Sequence, residues 1–98
     1  MRKIELRSEK GLDRRLCKEV LKLGGIAIKY PTIHTTGFPD RIVIMPGGRT
    51  YYVEMKSTGK QPSPTQKVWI KRLLNLDHDV RVVSTSEMLS EFLKHIAK

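Results

Sequence analysis

Hydrophobic and polar positions repeat with a helical period near the start of this chain. Leu12, Leu16, Val20 and Leu23 recur every three or four residues, which is the spacing of one helix face. The glycine pair at positions 24–25 follows at once and supplies a helix stop. The pattern predicts an amphipathic helix from Ser8 to Leu23.

Shorter runs of β-branched and aromatic residues occupy the middle of the chain, and turn-forming residues separate them. The predicted strands are Ile26 to Tyr30, about Asp40 to Met45, about Thr50 to Lys56, and Val80 to Val83. The second and third are joined by a short Pro-Gly-Gly-Arg segment at 46–49, which predicts an antiparallel hairpin. Residues 31–38 and 57–62 are predicted loops.

Two further helices begin at capping signals. Ser63, Pro64 and Gln66 match the N-cap, N1 and N3 positions of a helix that ends near residues 75–77. Ser84 and Glu87 form a second capping box before the last helix. The predicted order is αβββαβα, and the helix between strands three and four favours a parallel pair joined by a right-handed crossover. We therefore expect one α/β (α+β) domain over residues 1–98, with a mixed central sheet flanked by helices.

The charge balance indicates the kind of partner. The chain has 19 Lys and Arg residues against 10 Asp and Glu, a formal charge of +9 at pH 7. Such an excess favours a polyanion, most often nucleic acid, although solvated lysines of an ordinary basic protein are the alternative.

Cysteine usage and apolar runs indicate the compartment. The single cysteine, Cys17, cannot form an intramolecular disulfide, and no apolar signal core follows the basic start. No stretch approaches the roughly 20 apolar residues that span a bilayer. We expect a cytoplasmic protein with no membrane partner and no small-molecule cofactor.

Three charged residues of the predicted hairpin do not fit a plain amphipathic sheet. Glu54 and Lys56 are two apart on one strand and so point to the same face, together with Tyr52. Asp40 begins the preceding strand. It shares the face of Glu54 only if the residue numbers of two residues that lie opposite each other in the hairpin add up to an even number. A three-residue loop over 47–49 would pair Asp40 near Lys56, whereas a five-residue loop would pair it with Glu54.

Converging acids require a cation. Two ionised carboxylates about 4 Å apart repel by roughly 4 kcal/mol at an effective dielectric constant of about 20. At about 100° per residue, Glu9 lies near the middle of the apolar face of the first helix, so it is the expected third acid. An oxygen set of this kind suits Mg²⁺ or Mn²⁺, whereas the lone cysteine and scattered histidines disfavour zinc.

Each of these residues also has a plainer interpretation. Glu9 is equally suited to complement the helix dipole in the first turn, with Ser8 as the N-cap. Glu54 and Lys56 alone are also compatible with a solvent-facing pair on a strand. With a cation present, the Lys56 ammonium would orient or deprotonate an attacking water and stabilise charge on a phosphoryl group, as phosphodiester hydrolysis requires.

These residues resemble a known nuclease signature. Pro39-Asp40 followed by Glu54-Met55-Lys56 resembles the PD-(D/E)XK motif, and the predicted order resembles the core of that superfamily. The closer resemblance is to the VRR-NUC family, the virus-type replication-repair nucleases. It rests on the segments Gly24-Gly25, Lys29, Gly37-x-Pro39-Asp40-Arg41, Val53-Glu54-x-Lys56, Ser63-Pro64 and Gln66-x-x-Trp69.

The resemblance implies roles for these positions. Asp40 and Glu54 would bind the metal, with the Met55 carbonyl as an additional ligand, and Lys56 would be catalytic. The family also has a glutamine in the second helix, here Gln66, whose role in the capping box does not exclude a role in the site. For the family's first-helix acid the face argument favours Glu9, with Asp13 as the alternative.

The resemblance also implies a substrate. Stand-alone members resemble Holliday-junction resolvases, which are homodimers that act on branched DNA. Phosphate contacts are expected from Lys29, Arg41, Lys60 and Lys67, which flank the predicted site. The alternatives are a non-catalytic nucleic-acid-binding module and a subunit of a larger nuclease complex.

Overall fold

The computed structural model describes residues 9–97, and its elements follow the predicted order αβββαβα. They are α1 (Glu9–Lys22), β1 (Ile26–Lys29), β2 (Arg41–Met45), β3 (Arg49–Met55), α2 (Pro64–Asn75), β4 (Asp79–Val83) and α3 (Ser86–Ile96), with a 3-10 turn at Pro46–Gly48 between β2 and β3. The predicted N-cap Ser8 lies outside the described residues. No helix of the described part is long and apolar enough to cross a membrane.

The four strands form one mixed sheet in the order β1-β2-β3-β4. β1 and β2 are antiparallel, as are β2 and β3. β3 and β4 are parallel, which confirms the expectation drawn from the helix that connects them. The two central strands, β2 and β3, are those that carry the charged residues of the hairpin.

The register of the central hairpin has the even sum that a shared face requires. Arg41 is opposite Val53, and Met45 is opposite Arg49. The connecting turn has three residues, as one of the two predicted registers required, but it begins at Pro46, one position earlier. One step beyond the last pair, Asp40 therefore lies opposite Glu54, the alternative that had been assigned to a five-residue loop.

The two faces of the sheet bury different residues. One face packs against α1 and α3, and its core comprises Val43, Met45, Tyr51, Val53, Met55 and Val83 of the sheet with Leu12, Leu16, Val20, Leu89, Phe92 and Ile96 of the helices. Side chains alternate along a strand, so the even-numbered positions point to the opposite face. α2 lies on that opposite face, since its Gln66 contacts Glu54.

Candidate active site

Asp40 is held where β2 begins, at the edge of the hairpin. Its backbone carbonyl accepts a hydrogen bond from Tyr30 N at 2.9 Å, which ties it to the end of β1. Its side-chain Oδ1 accepts a hydrogen bond from Met55 N at 3.1 Å. The carboxylate thus occupies the position beside Met55 where the β2–β3 ladder has ended.

Glu54 is the one buried charged residue in the core of the described structure, with 3% of its surface exposed. Its Oε2 accepts a hydrogen bond from Gln66 Nε2 at 2.9 Å and forms an ion pair with Lys56 Nζ at 3.4 Å. Its Oε1 is fully buried and has no hydrogen-bond partner within residues 9–97. An unsatisfied buried carboxylate oxygen is costly, so a further partner such as a bound cation would stabilise it.

The two carboxyl groups have strongly perturbed acidities. Burial raises the pKa of Asp40 from 3.8 to about 6, although the Met55 N–H opposes the shift. Burial, and then the nearby Asp40 charge, raises the pKa of Glu54 from 4.5 to about 7, although Lys56 opposes the shift. Burial therefore disfavours the ionised form of both carboxyl groups, and the charge of Asp40 further disfavours ionisation of Glu54. A bound cation would offset both effects.

The donor set fits a hard divalent cation. Asp40 and Glu54 supply carboxylate oxygens, and one of these is the unsatisfied Oε1 of Glu54. The Met55 carbonyl lies on the Asp40 side of β3, because the N–H and C=O of one strand residue point the same way and its N–H meets Asp40. Within residues 9–97 no group of three or more His, Cys, Asp or Glu side chains is arranged around a metal. Magnesium accepts such a site, since it is commonly held by one or two carboxylates and completes its shell with water and substrate oxygens.

Gln66 has both of the roles considered for it from sequence. Its Oε1 accepts a hydrogen bond from Ser63 N at 2.7 Å, and its backbone N–H donates to Ser63 Oγ at 3.2 Å, which completes the capping box of α2. Its Nε2 donates to Glu54 Oε2. An amide has separate acceptor and donor ends, so one side chain both caps the helix and orients the buried carboxylate.

Glu9 does not point into the core as expected, and its assignment as a metal ligand stays a prediction. It is exposed in the first turn of α1. The helix packs on the sheet face opposite to Glu54, so an acid on its apolar side cannot reach the even-numbered face except around the end of the strands. The charge of Glu9 contributes to raising the pKa of Asp40, but Glu9 does not complete a group of three acids.

The alternative first-helix acid, Asp13, is bound by Arg41. Arg41 Nε donates to Asp13 Oδ1 at 2.8 Å, its Nη2 donates to Oδ2 at 2.6 Å, and its Nη1 donates to the Ala27 carbonyl at 3.2 Å. Arg41 therefore ties α1 to the sheet, and the phosphate contact expected for it stays a prediction. Strand alternation contained the signal: Arg41 points to the core face, where a charged side chain requires a partner.

The remaining expected phosphate contacts are exposed. Lys29 ends β1, Lys60 lies in the loop after β3, and Lys67 lies in the first turn of α2. Lys67 follows Gln66 directly, so it extends from the helix terminus that contacts Glu54.

Sequence reasoning did not identify an aromatic cluster beside the site. Phe38, two residues before Asp40, packs against Tyr30, Tyr52 and Trp69 with ring centroids 4.7, 5.7 and 5.3 Å away. Tyr52 lies two residues before Glu54 on β3, so strand alternation places these two side chains on one face. The cluster joins the loop before β2, the central strand and α2 into one wall of the site.

Comparison with known proteins identifies the family. A family model for the VRR-NUC domain matches residues 8–87, which include every element except most of α3. The chain belongs to the VRR-NUC family. The family resemblance seen in the sequence is therefore confirmed, and the chain is a nuclease-family domain whose partner is nucleic acid.

Two relatives agree with this membership. The VRR-NUC chain is 38% identical over 82 residues to a protein of Acyrthosiphon pisum secondary endosymbiont phage 1 named "Putative nuclease p44", covering 84% of this chain and 88% of that protein. A solved structure described as a VRR_NUC domain superimposes with a TM-score of 0.83 at 25% identity, covering 91% of this chain and 98% of that one. The mixed four-stranded sheet with flanking helices is thus the fold of a VRR-NUC domain.

Proposed function

We propose that this VRR-NUC protein is a metal-dependent, structure-selective DNA endonuclease that hydrolyses phosphodiester bonds in the manner of a Holliday-junction resolvase. The observation that carries the proposal is the environment of Glu54, a buried carboxylate opposite Asp40. Its Oε1 has no hydrogen-bond partner in the described structure, whereas its Oε2 contacts Lys56 and Gln66. A module that only bound nucleic acid would gain nothing from two acids facing a polyanion.

The proposed centre holds Mg²⁺ or Mn²⁺ through Asp40, Glu54 and the Met55 carbonyl. When bound, the cation would offset the two negative charges, polarise the scissile phosphate and lower the pKa of the attacking water.

The protein's own groups prepare the site. Gln66 fixes Glu54 Oε2 at 2.9 Å, so the other oxygen keeps a constant orientation. Met55 N fixes the Asp40 carboxylate. Lys56 Nζ, 3.4 Å from Glu54, supplies a positive charge that would orient water and stabilise charge developing on the phosphate.

Phosphate binding next to this centre is supported by the charge of the surrounding surface. Lys29, Lys60 and Lys67 are exposed, and the N-terminus of α2, which begins two residues before Gln66, is electrostatically suited to a phosphate group. Such contacts carry little sequence information, which favours recognition of DNA shape over a base sequence.

A homodimer is part of the proposal, because two symmetric cuts at a four-way junction need two symmetric sites. The outer face of β1 and β2 supports it. Ile26, Ile28 and Ile44 share this even-numbered face and are 50%, 43% and 40% exposed. A second copy of the chain would cover this apolar strip.

The test is a cleavage assay on four-way, flapped and linear DNA, with Mg²⁺ or Mn²⁺ and with chelator. The expected result is metal-dependent cleavage that favours branched DNA and is lost in Asp40→Asn and in Lys56→Ala while DNA binding persists. Sedimentation equilibrium of the free protein tests the dimer. Cleavage that survives both substitutions would reject the mechanism, and binding without any cleavage would favour the non-catalytic alternative.

A further inference from the structure

The loop between β1 and β2 carries an unusually exposed apolar side chain close to the proposed site. Ile33 has 79% of its surface exposed, the largest value among the exposed large hydrophobic residues of the described structure. Its neighbours His34 and Thr36 are also exposed, and Lys29 at the base of the loop is exposed as well. Within residues 9–97 most of the Ile33 side chain is uncovered, so its apolar surface is available to a partner.

Hydrogen bonds and a ring contact within this loop hold its conformation. Tyr30 Oη and Thr35 Oγ1 are hydrogen-bonded at 3.1 Å, and Phe38 N donates to the Thr35 carbonyl at 3.1 Å. The Tyr30 and Phe38 rings pack together below the tip. These contacts connect the loop that carries Ile33 to the aromatic cluster.

The return arm of the loop is pressed against the helix that carries Gln66. Gly37 has a φ of +90°, and a Cβ there would lie 2.6 Å from Thr65 Cγ2 and 2.9 Å from the Thr65 carbonyl group. Ile33 is three residues after Tyr30, and an extended chain spans at most about 3.5 Å per residue. Tyr30 is itself next to Asp40, because its N–H donates to the Asp40 carbonyl. Ile33 thus lies within about 15 Å of Asp40, a length of about four base pairs of duplex.

We propose that Ile33 is a wedge residue that inserts between bases at the branch of a DNA junction while Asp40 and Glu54 face the nearby phosphate. Apolar side chains such as isoleucine insert between base steps in other protein–DNA complexes and open the stack. A single isoleucine flanked by polar residues offers far less than the roughly 800 Å² per partner of a stable protein interface, so DNA fits it better than a second copy. The inference rests on the proposed function, since it assigns the feature of branched DNA that the same site would select.

Fluorescence of 2-aminopurine at the nucleotides flanking the branch reports the insertion, because this base brightens when it is unstacked. The measurement uses the full chain with Asp40→Asn to prevent cleavage, and compares Ile33→Ala with Ile33→Leu. Leu76→Ala is the matched control, because Leu76 is 68% exposed but lies at the far end of α2. A linear duplex with the same bases gives the baseline.

The expected result is a fluorescence rise on junction binding that Ile33→Ala abolishes and that Ile33→Leu and Leu76→Ala retain. With Asp40 intact, Ile33→Ala should lower the ratio of branched to linear cleavage by about tenfold, the factor expected for losing most of the burial of one isoleucine.

Three outcomes would overturn the wedge. One is a fluorescence rise that Ile33→Ala leaves unchanged. Another is cleavage of branched DNA by the unaltered chain combined with no fluorescence rise when the Asp40→Asn chain binds the junction. This result would leave the nuclease proposal standing. The third is a change in sedimentation mass of the free protein in Ile33→Ala, which would assign Ile33 to a contact between copies. Unstacking by the Asp40→Asn chain with no cleavage by the unaltered chain would instead reject the proposed function and retain the wedge.

Discussion

At the scale of single residues, the site depends on side chains with two uses. Gln66 caps α2 with its carbonyl oxygen and holds Glu54 with its amide nitrogen. Asp40 ends the ladder by accepting from Met55 N and also contributes a carboxylate to the candidate centre. These uses are compatible because each side chain has polar atoms that point in two directions.

Separating the two uses of Gln66 is possible with paired variants. Ser63→Ala removes the helix cap alone and should cost about 1 kcal/mol of unfolding free energy. Gln66→Ala removes part of the cap and the hydrogen bond to Glu54, so it should cost a similar amount but also lower the cleavage rate by about tenfold or more. Denaturant unfolding and single-turnover cleavage measure the two effects. Equal cleavage rates in the two variants would show that Gln66 serves only the helix.

The raised pKa of Glu54 makes stability depend on pH. Its carboxyl has a pKa of about 7 in the folded protein against an ordinary 4.5, so the folded state binds the proton more tightly than the unfolded state. Without divalent cations, stability is therefore greatest below the ordinary value and falls as the pH rises through about 7.

Glu54→Gln removes this penalty. The variant should be more stable than the unaltered protein by about 2 kcal/mol near pH 8, and the difference should vanish near pH 4. Denaturant unfolding across this range measures it. Added Mg²⁺ should stabilise the unaltered protein and leave the variant unchanged. A stability difference that does not vary with pH would contradict the assigned pKa shift.

The sequence predicted part of this site and missed part for identifiable reasons. Strand alternation was sufficient to place Glu54 and Lys56 on one face, whereas the position of Asp40 also depended on the register of the hairpin, which the structure supplies. Helical periodicity was not sufficient for Glu9, since it gives the face of a helix but not the side of the sheet on which the helix packs. The ion pair of Arg41 with Asp13 was not foreseen, because net charge was considered before strand alternation.

At the scale of elements, the site depends on how the loop before β2 packs on the start of α2. Gly37 allows this contact, since any side chain there would meet Thr65. The element order and the parallel β3–β4 pair followed from periodicity and connection length. The position of the hairpin turn did not, because Gly47 and Gly48, with φ of 81° and 74°, belong both to the predicted turn over 47–49 and to the observed turn at Pro46–Gly48.

Gly37→Ala tests the loop packing, with Gly59→Ala as the control. Both glycines have a positive φ, +90° and +87°, but only Gly37 is in contact with another element, since nothing lies within 4 Å of a Cβ at Gly59. The Gly59 change should cost about 1 kcal/mol of backbone strain, whereas the Gly37 change should cost about 3 kcal/mol and also slow cleavage by displacing Gln66. Equal losses of stability in the two variants would show that the contact with Thr65 is unimportant.

At the scale of the whole molecule, the proposal concerns where the excess positive charge acts. Composition predicted a polyanion partner but not which lysines contact it, because the basic residues are spread over the chain. The structure distinguishes them by the elements that carry them. Lys67 and Lys60 flank the start of α2, whereas Lys94 is exposed on α3, against the opposite face of the sheet.

The salt dependence of DNA binding tests this distribution. Lys60→Ala and Lys67→Ala should each reduce the slope of log K against log salt concentration by about 1, because each removes one phosphate contact. Lys94→Ala should leave the slope unchanged. Titrations of Asp40→Asn protein with branched DNA at several salt concentrations provide the slopes. Equal effects of all three changes would indicate diffuse attraction instead of a defined phosphate path.

The central claim is that Asp40 and Glu54 form a divalent-cation centre, and Mn²⁺ binding measured by electron paramagnetic resonance tests it most directly. The free protein near pH 8 should bind Mn²⁺, and the affinity should fall as the pH decreases through about 7 and then about 6, where Glu54 and then Asp40 take up protons. Asp40→Asn and Glu54→Gln should abolish this binding, whereas Lys56→Ala should retain it. Mn²⁺ binding that is unchanged in Glu54→Gln would contradict the account.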